Sequence, residues 1–133
     1  MPNASMFLKH LILAACGGAI GSALRFSFGA VMLRTMGPGW PWGTYTVNLA
    51  GSLIMGLVMG WFAFKGTGSS SAQIFLATGI LGGFTTFSAF SLETARMVET
   101  KAYGQAAIYA GSSVILGLLM VFAGLFFMRK VLM

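Results

Sequence analysis

The sequence predicts an all-α membrane protein in which four transmembrane helices form a single domain over residues 1–133. Of the 133 residues, 57% are hydrophobic and only 8% are charged, whereas soluble domains carry about a quarter charged residues. Such a chain cannot cover a surface exposed to water. Its apolar residues fall into four segments that each reach the ~20 residues needed to cross the hydrocarbon core; they are 11–33, 44–64, 72–92 and 102–128.

Each apolar segment is predicted to be a helix rather than a strand. A helix satisfies its own backbone hydrogen bonds in lipid, which an open strand cannot do. The segments also lack the ten-residue alternation of polar and apolar residues that marks a membrane barrel. Short loops over 34–43, 65–71 and 93–101 are predicted to connect the helices.

The net charge of +6 does not indicate a nucleic-acid partner, because the cations are scattered near segment ends, where they flank membrane spans.

The balance of Lys and Arg between the two sides sets the orientation of a membrane protein. The side with both termini and loop 65–71 has Lys9, Lys65, Arg129 and Lys130, and the other side has Arg34, Arg96 and Lys101. This near balance leaves two alternatives: one orientation fixed by other features, or a dual topology in which oppositely inserted copies pair antiparallel.

Glycines recur four residues apart in three of the predicted helices, a spacing that lets helix backbones approach closely in lipid. The pairs are Gly17 and Gly21, Gly56 and Gly60, and Gly79 and Gly83. They favour association of subunits into an oligomer, and packing of helices inside one subunit is the alternative.

The titratable residues argue against an enzyme. The chain contains no Asp, and its one histidine is His10, near the end of the first segment. A Ser-His-Asp triad therefore cannot be assembled, and no Cys/His group could bind zinc. We expect a protein without catalytic activity.

Arg25 and Asn48 are the polar side chains that stand out inside the predicted spans. Polar residues inside a membrane are costly and usually mark a functional pathway. Asn48 offers two N–H donors and one acceptor, so it could line a pathway or connect two helices. Arg25 could line an aqueous vestibule, where its charge attracts anions, or extend to the membrane surface.

The stretch GGFTTFSAFS over 82–91 interrupts the third segment with two glycines, four hydroxyls and two phenylalanines. It predicts a break in the helix at mid-membrane, which is tolerated only where the backbone lines a cavity or is buried in protein. A break frees carbonyls, which suit a small cation, and N–H groups, which suit an anion. Phe87 and Phe90 share one helix face, where their positive ring edges could line an anion path or pack in the core.

Three motifs in this sequence resemble the Fluc (CrcB) family of fluoride channels. They are GGAIGSALR over 17–25, WPWGTYTVNLAG over 40–51 and GGFTTFSAFSLE over 82–93. They occur in the family's order, and together with the length and helix count the resemblance covers nearly the whole chain. It implies a passive, fluoride-selective channel that exports cytoplasmic fluoride across the bacterial inner membrane. It also implies an antiparallel, dual-topology homodimer with two pores.

The resemblance implies a fluoride pathway residue by residue. The phenylalanines of the pore fall on Phe87 and Phe90, the pore asparagine falls on Asn48, and the hydroxyls of helix 3 are further donors. A polar track on the fourth helix falls on Tyr109 and Ser113. The pathway predicted in this way consists of Asn48, Phe87, Ser88, Phe90, Ser91, Tyr109 and Ser113, with Arg25 as the charge of the vestibule.

The resemblance also implies a structural Na⁺ on the dimer axis, bound by the backbone carbonyls of Gly82 and Thr85. Two departures from the family pattern concern the pathway. The polar track would continue at Gly117 and Val121, which lack hydroxyls, and Ala89 stands where a threonine is common.

A small multidrug-resistance antiporter is the alternative of a different class, since it too combines four helices, a short chain and dual topology. It needs an intramembrane carboxylate to exchange protons for a cationic drug. The only acids here are Glu93 and Glu99, near the end of the third segment. A structural membrane subunit without transport activity is a third alternative.

Overall fold

Four long helices make up the protein, as the sequence predicts. The computed structural model describes residues 3–66 and 69–133, and every regular element within those ranges is helical. We name the helices α1 (Ala4–Met36), α2 (Trp42–Lys65), α3 (Ser70–Glu99) and α4 (Tyr103–Leu132). Each is long and apolar enough to cross a bilayer, so the chain is a multi-pass membrane protein.

The helices extend beyond the predicted spans, and the predicted loop 93–101 is mostly helical because α3 continues to Glu99. Hydropathy marks the part of a helix that lies in lipid, while backbone hydrogen bonding continues into the headgroup region. Local signals set the true ends. Asn3 caps the start of α1 by accepting a hydrogen bond from the Met6 N–H at 2.9 Å, and Gly37 ends that helix with a φ of 78°. The predicted loop 65–71 contains Thr67 and Gly68, which lie outside the described residues.

The break predicted in the third helix is confirmed, with a different centre. Gly82 and Gly83 remain helical, and the extended residues are Thr85 (φ −88°, ψ 159°) and Thr86 (φ −151°, ψ 119°). β-Branched threonines favour extended backbone. The first half of α3 has a second irregularity that the sequence did not predict, a π-helix over Ile74–Leu81.

Close glycine contacts hold the four helices together in pairs. A Cβ added to Gly17 of α1 would lie 2.6 Å from the carbonyl oxygen of Phe75 in α3, and a Cβ on Gly124 of α4 would lie 2.6 Å from the Leu53 carbonyl oxygen of α2. These distances are shorter than a real Cβ contact allows. The glycine spacings therefore pack helices inside one subunit, and the interpretation that they favour an oligomer loses its support.

The pairing of the helices leaves the second half of α3 against α4, next to the start of α2. Val47 of α2 and Tyr109 of α4 are fully buried at this meeting point. Many large apolar side chains of α1 and α4 stay exposed on the outer faces, among them Phe26, Phe122 and Phe126, as lipid contact requires. Several polar side chains from α1, α2 and α3 meet at the break in α3.

Candidate functional site at the helix break

Asn48 of α2 forms two hydrogen bonds with the backbone of Thr86, at the centre of the break. Its Nδ2 donates to the Thr86 carbonyl oxygen at 2.9 Å, and its Oδ1 accepts from the Thr86 N–H at 2.8 Å. The amide thus replaces the helical acceptor that the Thr86 N–H has lost, and it adds a hydrogen bond to the Thr86 carbonyl oxygen. One N–H of Asn48 makes no hydrogen bond within the described residues and remains available as a donor.

Two further side chains complete the break. Thr86 accepts a hydrogen bond from the Ala89 N–H at 3.2 Å through its hydroxyl, and so caps the second half of α3. Arg25 donates from Nε to the carbonyl oxygen of Gly83 at 3.0 Å, near the end of the first half. Arg25 is half-buried, and this hydrogen bond connects α1 to α3.

A cavity of about 300 Å³ lies beside the break and unites four of the predicted pathway residues. Asn48, Phe87, Phe90 and Ser113 all line it. The rings of Phe87 and Phe90 are 5.7 Å apart at an angle of 46°, and Phe87 is 79% exposed on the subunit surface. The rest of the lining is Gly51, Ser52, Met55, Thr85, Thr86, Val114 and Val121.

Tyr109, the other predicted residue of α4, is buried against the Phe pair. Its ring centroid lies 5.2 Å from that of Phe90. Its hydroxyl donates to Oε2 of Glu93 at 2.6 Å, while the Thr44 hydroxyl donates to Oε1 of the same carboxylate at 2.7 Å. Glu93 therefore sits beside the predicted pathway with both oxygens engaged by hydroxyl donors.

A second cavity, of about 530 Å³, lies on the other side of the break. Arg25, Arg96 and Glu93 line it together with Trp40 and Thr86. Arg25, the residue predicted to be the vestibule charge, and Arg96 place two cations in the lining of this cavity. Because Thr86 borders both cavities, the break forms the boundary between them.

The two predicted serines of helix 3 lie outside the cavities. Ser88 is exposed, with its hydroxyl oxygen 3.4 Å from that of Thr86, and Ser91 is exposed on the second half of α3. Neither lines the cavity that contains Phe87 and Phe90. Ser91 directly follows Phe90, so it points about 100° away from that ring around the helix axis.

The predicted sodium ligands are the carbonyls of Gly82 and Thr85, and both lose their regular helical donors. In a continuous helix the N–H of Thr86 would donate to Gly82, but it donates to Asn48. The N–H of Ala89 would donate to Thr85, but it donates to the Thr86 hydroxyl. These two oxygens are suited to a small hard cation, which prefers oxygen ligands.

Sequence reasoning missed Glu93, Thr44, Ser52 and Arg96 as parts of the site. Glu93 carried a detectable signal, since it is one of two acids in a chain of apolar helices. Thr44 and Arg96 stand near segment ends, where a polar residue is ordinary, and nothing in the sequence marks Ser52.

The fold and the site define a multi-pass membrane protein with a polar helix break between two cavities. The family model described as CrcB-like protein, Camphor Resistance (CrcB), matches residues 12–125, and the chain belongs to that family. A Caulobacter vibrioides protein named fluoride-specific ion channel FluC is 50% identical over 125 residues, which cover 93% of this chain and 98% of the relative. A Hyphomonas neptunium protein of the same name is 54% identical over the same shares. One from Novosphingobium aromaticivorans is 50% identical, over 88% of this chain and 94% of the relative.

Replacing Asn48 by Leu should destabilise the protein strongly. The change keeps the size of the side chain but leaves the N–H of Thr86 without its acceptor and removes a second hydrogen bond to the Thr86 carbonyl oxygen, and a buried unsatisfied group costs about 1–3 kcal/mol. We expect the free energy of unfolding, measured by titration with SDS, to fall by at least about 2 kcal/mol. Ser52→Ala is the control, since it alters the same cavity without removing a hydrogen bond seen in the structure. Equal stability of Asn48→Leu and the wild type would contradict this account of the break.

Proposed function

We propose that this protein is a passive channel that lets fluoride leave the cytoplasm through the inner membrane of a bacterium. One observation carries the proposal: Asn48, the hydroxyl of Ser113 and the Phe pair converge on one cavity beside the break. The relatives that match the chain are named fluoride-specific ion channels. That name describes a transport protein rather than an enzyme.

The chemistry of the cavity suits a small, strongly hydrated anion. Fluoride must exchange its water for other donors, because an unpaired charge in a low-dielectric site is prohibitively costly. The free N–H of Asn48 and the Ser113 hydroxyl are such donors. The rings of Phe87 and Phe90 have positive edges that can face an anion from the wall of this cavity.

The driving force in this proposal needs no coupling to protons or nucleotides. HF is a weak acid that crosses membranes in its neutral form and dissociates inside, and the negative interior potential then drives the anion out. Arg25 and Arg96 line the second cavity, where two positive charges would raise the local concentration of anions.

The carboxylate of Glu93, which lies near the site, does not support the antiporter alternative. Glu93 has both oxygens engaged by the hydroxyls of Thr44 and Tyr109. An exchanger would need an acid that is free to bind a proton and a cationic substrate in turn. The family to which the chain belongs also favours a channel over an antiporter.

We further propose that the working unit is an antiparallel homodimer with dual topology. The near balance of cations on the two sides supports it, as does the exposure of Phe87, which is 79% in the single subunit although it lines the cavity. A second copy inserted the other way would cover that ring and close the cavity. The exposed apolar residues of one subunit give such a pair a large surface on which to pack.

A structural Na⁺ on the axis of that dimer is the third part of the proposal. Gly82 and Thr85 would bind it through their carbonyl oxygens, which the break deprives of their regular helical donors. The C-terminal end of the first half of α3 carries negative partial charge, which also favours a cation. The ion would fix the two breaks relative to each other.

Replacing either Phe87 or Phe90 by Ile should reduce fluoride efflux from liposomes by at least about tenfold, which corresponds to a loss of roughly 1.4 kcal/mol of barrier stabilisation. Isoleucine keeps the bulk and the hydrophobicity but removes the positive ring edge. Efflux is measured with a fluoride electrode after a potential is imposed. Phe126→Ile is the control, because Phe126 is 60% exposed and lies outside the cavity. A wild type that releases no fluoride would refute the channel; Ile variants as fast as the wild type would place the path elsewhere.

A tag added after Met133 should be accessible from both faces of the membrane, because dual topology inserts equal numbers of copies in the two directions. An impermeant reagent applied to intact spheroplasts and to inverted vesicles measures this. Three lysines added after Lys65 should trap one orientation and lower the flux, and a copy with the opposite bias should restore it. Labelling from a single face would argue for one fixed orientation.

Removing Na⁺ should lower the thermal unfolding midpoint of the purified dimer, since an ion that binds only the folded state stabilises it. The comparison uses buffers in which N-methylglucamine replaces Na⁺ at equal ionic strength. Thr85→Ala should keep the dependence on Na⁺, because the ligand is a backbone carbonyl. Identical midpoints with and without Na⁺ would speak against the ion site while leaving the channel intact.

A further inference from the structure

The indole N–H of Trp40 has no hydrogen-bond partner among the described residues, although the nitrogen is buried. Trp40 lies in the turn between α1 and α2 and lines the second cavity. A buried donor without a partner is rare and costs free energy. Its place beside the site therefore calls for a physical explanation.

Two tyrosine rings surround this indole in a perpendicular arrangement. The ring of Tyr109 lies 5.4 Å away at 90°, and that of Tyr45 lies 5.7 Å away at 83°. Edge-to-face pairs at such distances are favourable, and the face of an aromatic ring is a weak acceptor for an N–H group. The indole is therefore held mainly by its contacts with these two rings.

Tyr109 is fixed at both ends as a result. Trp40 packs against its ring, and Glu93 accepts the hydrogen bond of its hydroxyl at 2.6 Å. The turn that carries Trp40 is in turn connected to α4, since Gln105 donates to the Gly39 carbonyl oxygen at 2.8 Å. This hydrogen bond and the ring contact together hold the turn that carries Trp40 against α4.

The aromatic contacts continue from Tyr109 into the first cavity. The ring centroid of Phe90 lies 5.2 Å from that of Tyr109, and the ring centroid of Phe87 lies 5.7 Å from that of Phe90. We call Trp40, Tyr109, Phe90 and Phe87 the aromatic column. It runs without a gap from the turn between α1 and α2 to the surface of the subunit, and one rigid ring orients the next.

We propose that Trp40 is a positioning residue of the channel, which holds the Phe90 ring edge toward the anion path by fixing Tyr109. The inference rests on the proposed function. It predicts that selectivity for fluoride depends on a residue outside the cavity that Phe87 and Phe90 line. Without the indole, Tyr109 can tilt about its hydroxyl, and Phe90 gains orientations in which its ring face replaces its edge.

The test is a set of three variants measured in liposomes for fluoride and chloride efflux. Trp40→Leu keeps an apolar side chain but removes three aromatic pairs, of which the one with Tyr109 holds that ring, so the held orientation should lose roughly a factor of ten in population. We expect a similar fall in fluoride efflux and a lower ratio of fluoride to chloride. Trp40→Phe keeps an aromatic edge over Tyr109 and should recover most of both quantities. Trp61→Leu is the matched control, because that tryptophan is 45% exposed and outside the aromatic column.

The outcomes separate this inference from the proposed function. Fluoride efflux by Trp40→Leu at the wild-type rate and selectivity would overturn the positioning role while leaving the channel established. A purely structural role would lower the yield and the rate for both ions without changing their ratio. If Trp40→Leu does not fold, Trp40→Phe and Trp40→His decide. Trp40→Phe should keep the ratio of fluoride to chloride near that of the wild type because its ring still packs against Tyr109, whereas the smaller, polar imidazole should lower it; an equal ratio in the two variants contradicts the proposal. A wild type that conducts neither ion refutes the channel itself.

Discussion

The pairing of Asn48 with the backbone of Thr86 is the interaction on which the rest of the site depends. A chain that leaves the helical conformation inside a bilayer exposes N–H and C=O groups that lipid cannot satisfy, at several kcal/mol for each group. One asparagine supplies a donor and an acceptor to the same residue. The hydroxyl of Thr86 and the guanidinium of Arg25 satisfy neighbouring groups. Three helices must therefore approach the break closely, which explains why α1 and the first half of α3 meet through glycines.

The break also determines which polar groups stay free to bind an ion. Asn48 uses only part of its hydrogen-bonding capacity on Thr86, so its last donor stays beside the cavity with the Phe pair. Two half-helices meet at the threonines, the first presenting carbonyls and the second presenting N–H groups. Carbonyl groups that suit a cation and N–H groups that suit an anion thus occur within a few residues of one another. A cation and an anion can be accommodated by the same irregular backbone, without any carboxylate as a ligand.

Local sequence patterns predict most of the helices in this protein. They do not predict interactions between residues that are far apart in the sequence. Hydropathy predicted the four helices, and GGFTTFSAFS predicted the break, but the glycines there stay helical because Gly83 packs against α1. The dual role of Asn48 depends on a contact between residues 48 and 86, which no local spacing reveals. In the sequence Glu93 stands near the end of the third apolar segment, and only its hydrogen bonds with Thr44 and Tyr109 make it part of the site. Ser91 is predicted as a pathway residue from its hydroxyl alone, and in the structure it does not line the cavity that contains Phe90.

Glu93 raises a question for any anion path, because a carboxylate repels the ion it would border. The hydrogen bonds answer it in part: two hydroxyl dipoles point their positive ends at the carboxylate oxygens and reduce its field in the direction of α4. Arg25 and Arg96 line the same cavity as Glu93, so the positive charges there outnumber the negative one. The carboxylate in exchange fixes the Tyr109 hydroxyl, and with it one end of the aromatic column. The negative charge is thus compensated by two hydroxyl donors and by the arginines of the same cavity, while its hydrogen bond orders the rings that would face the ion in the proposed pathway.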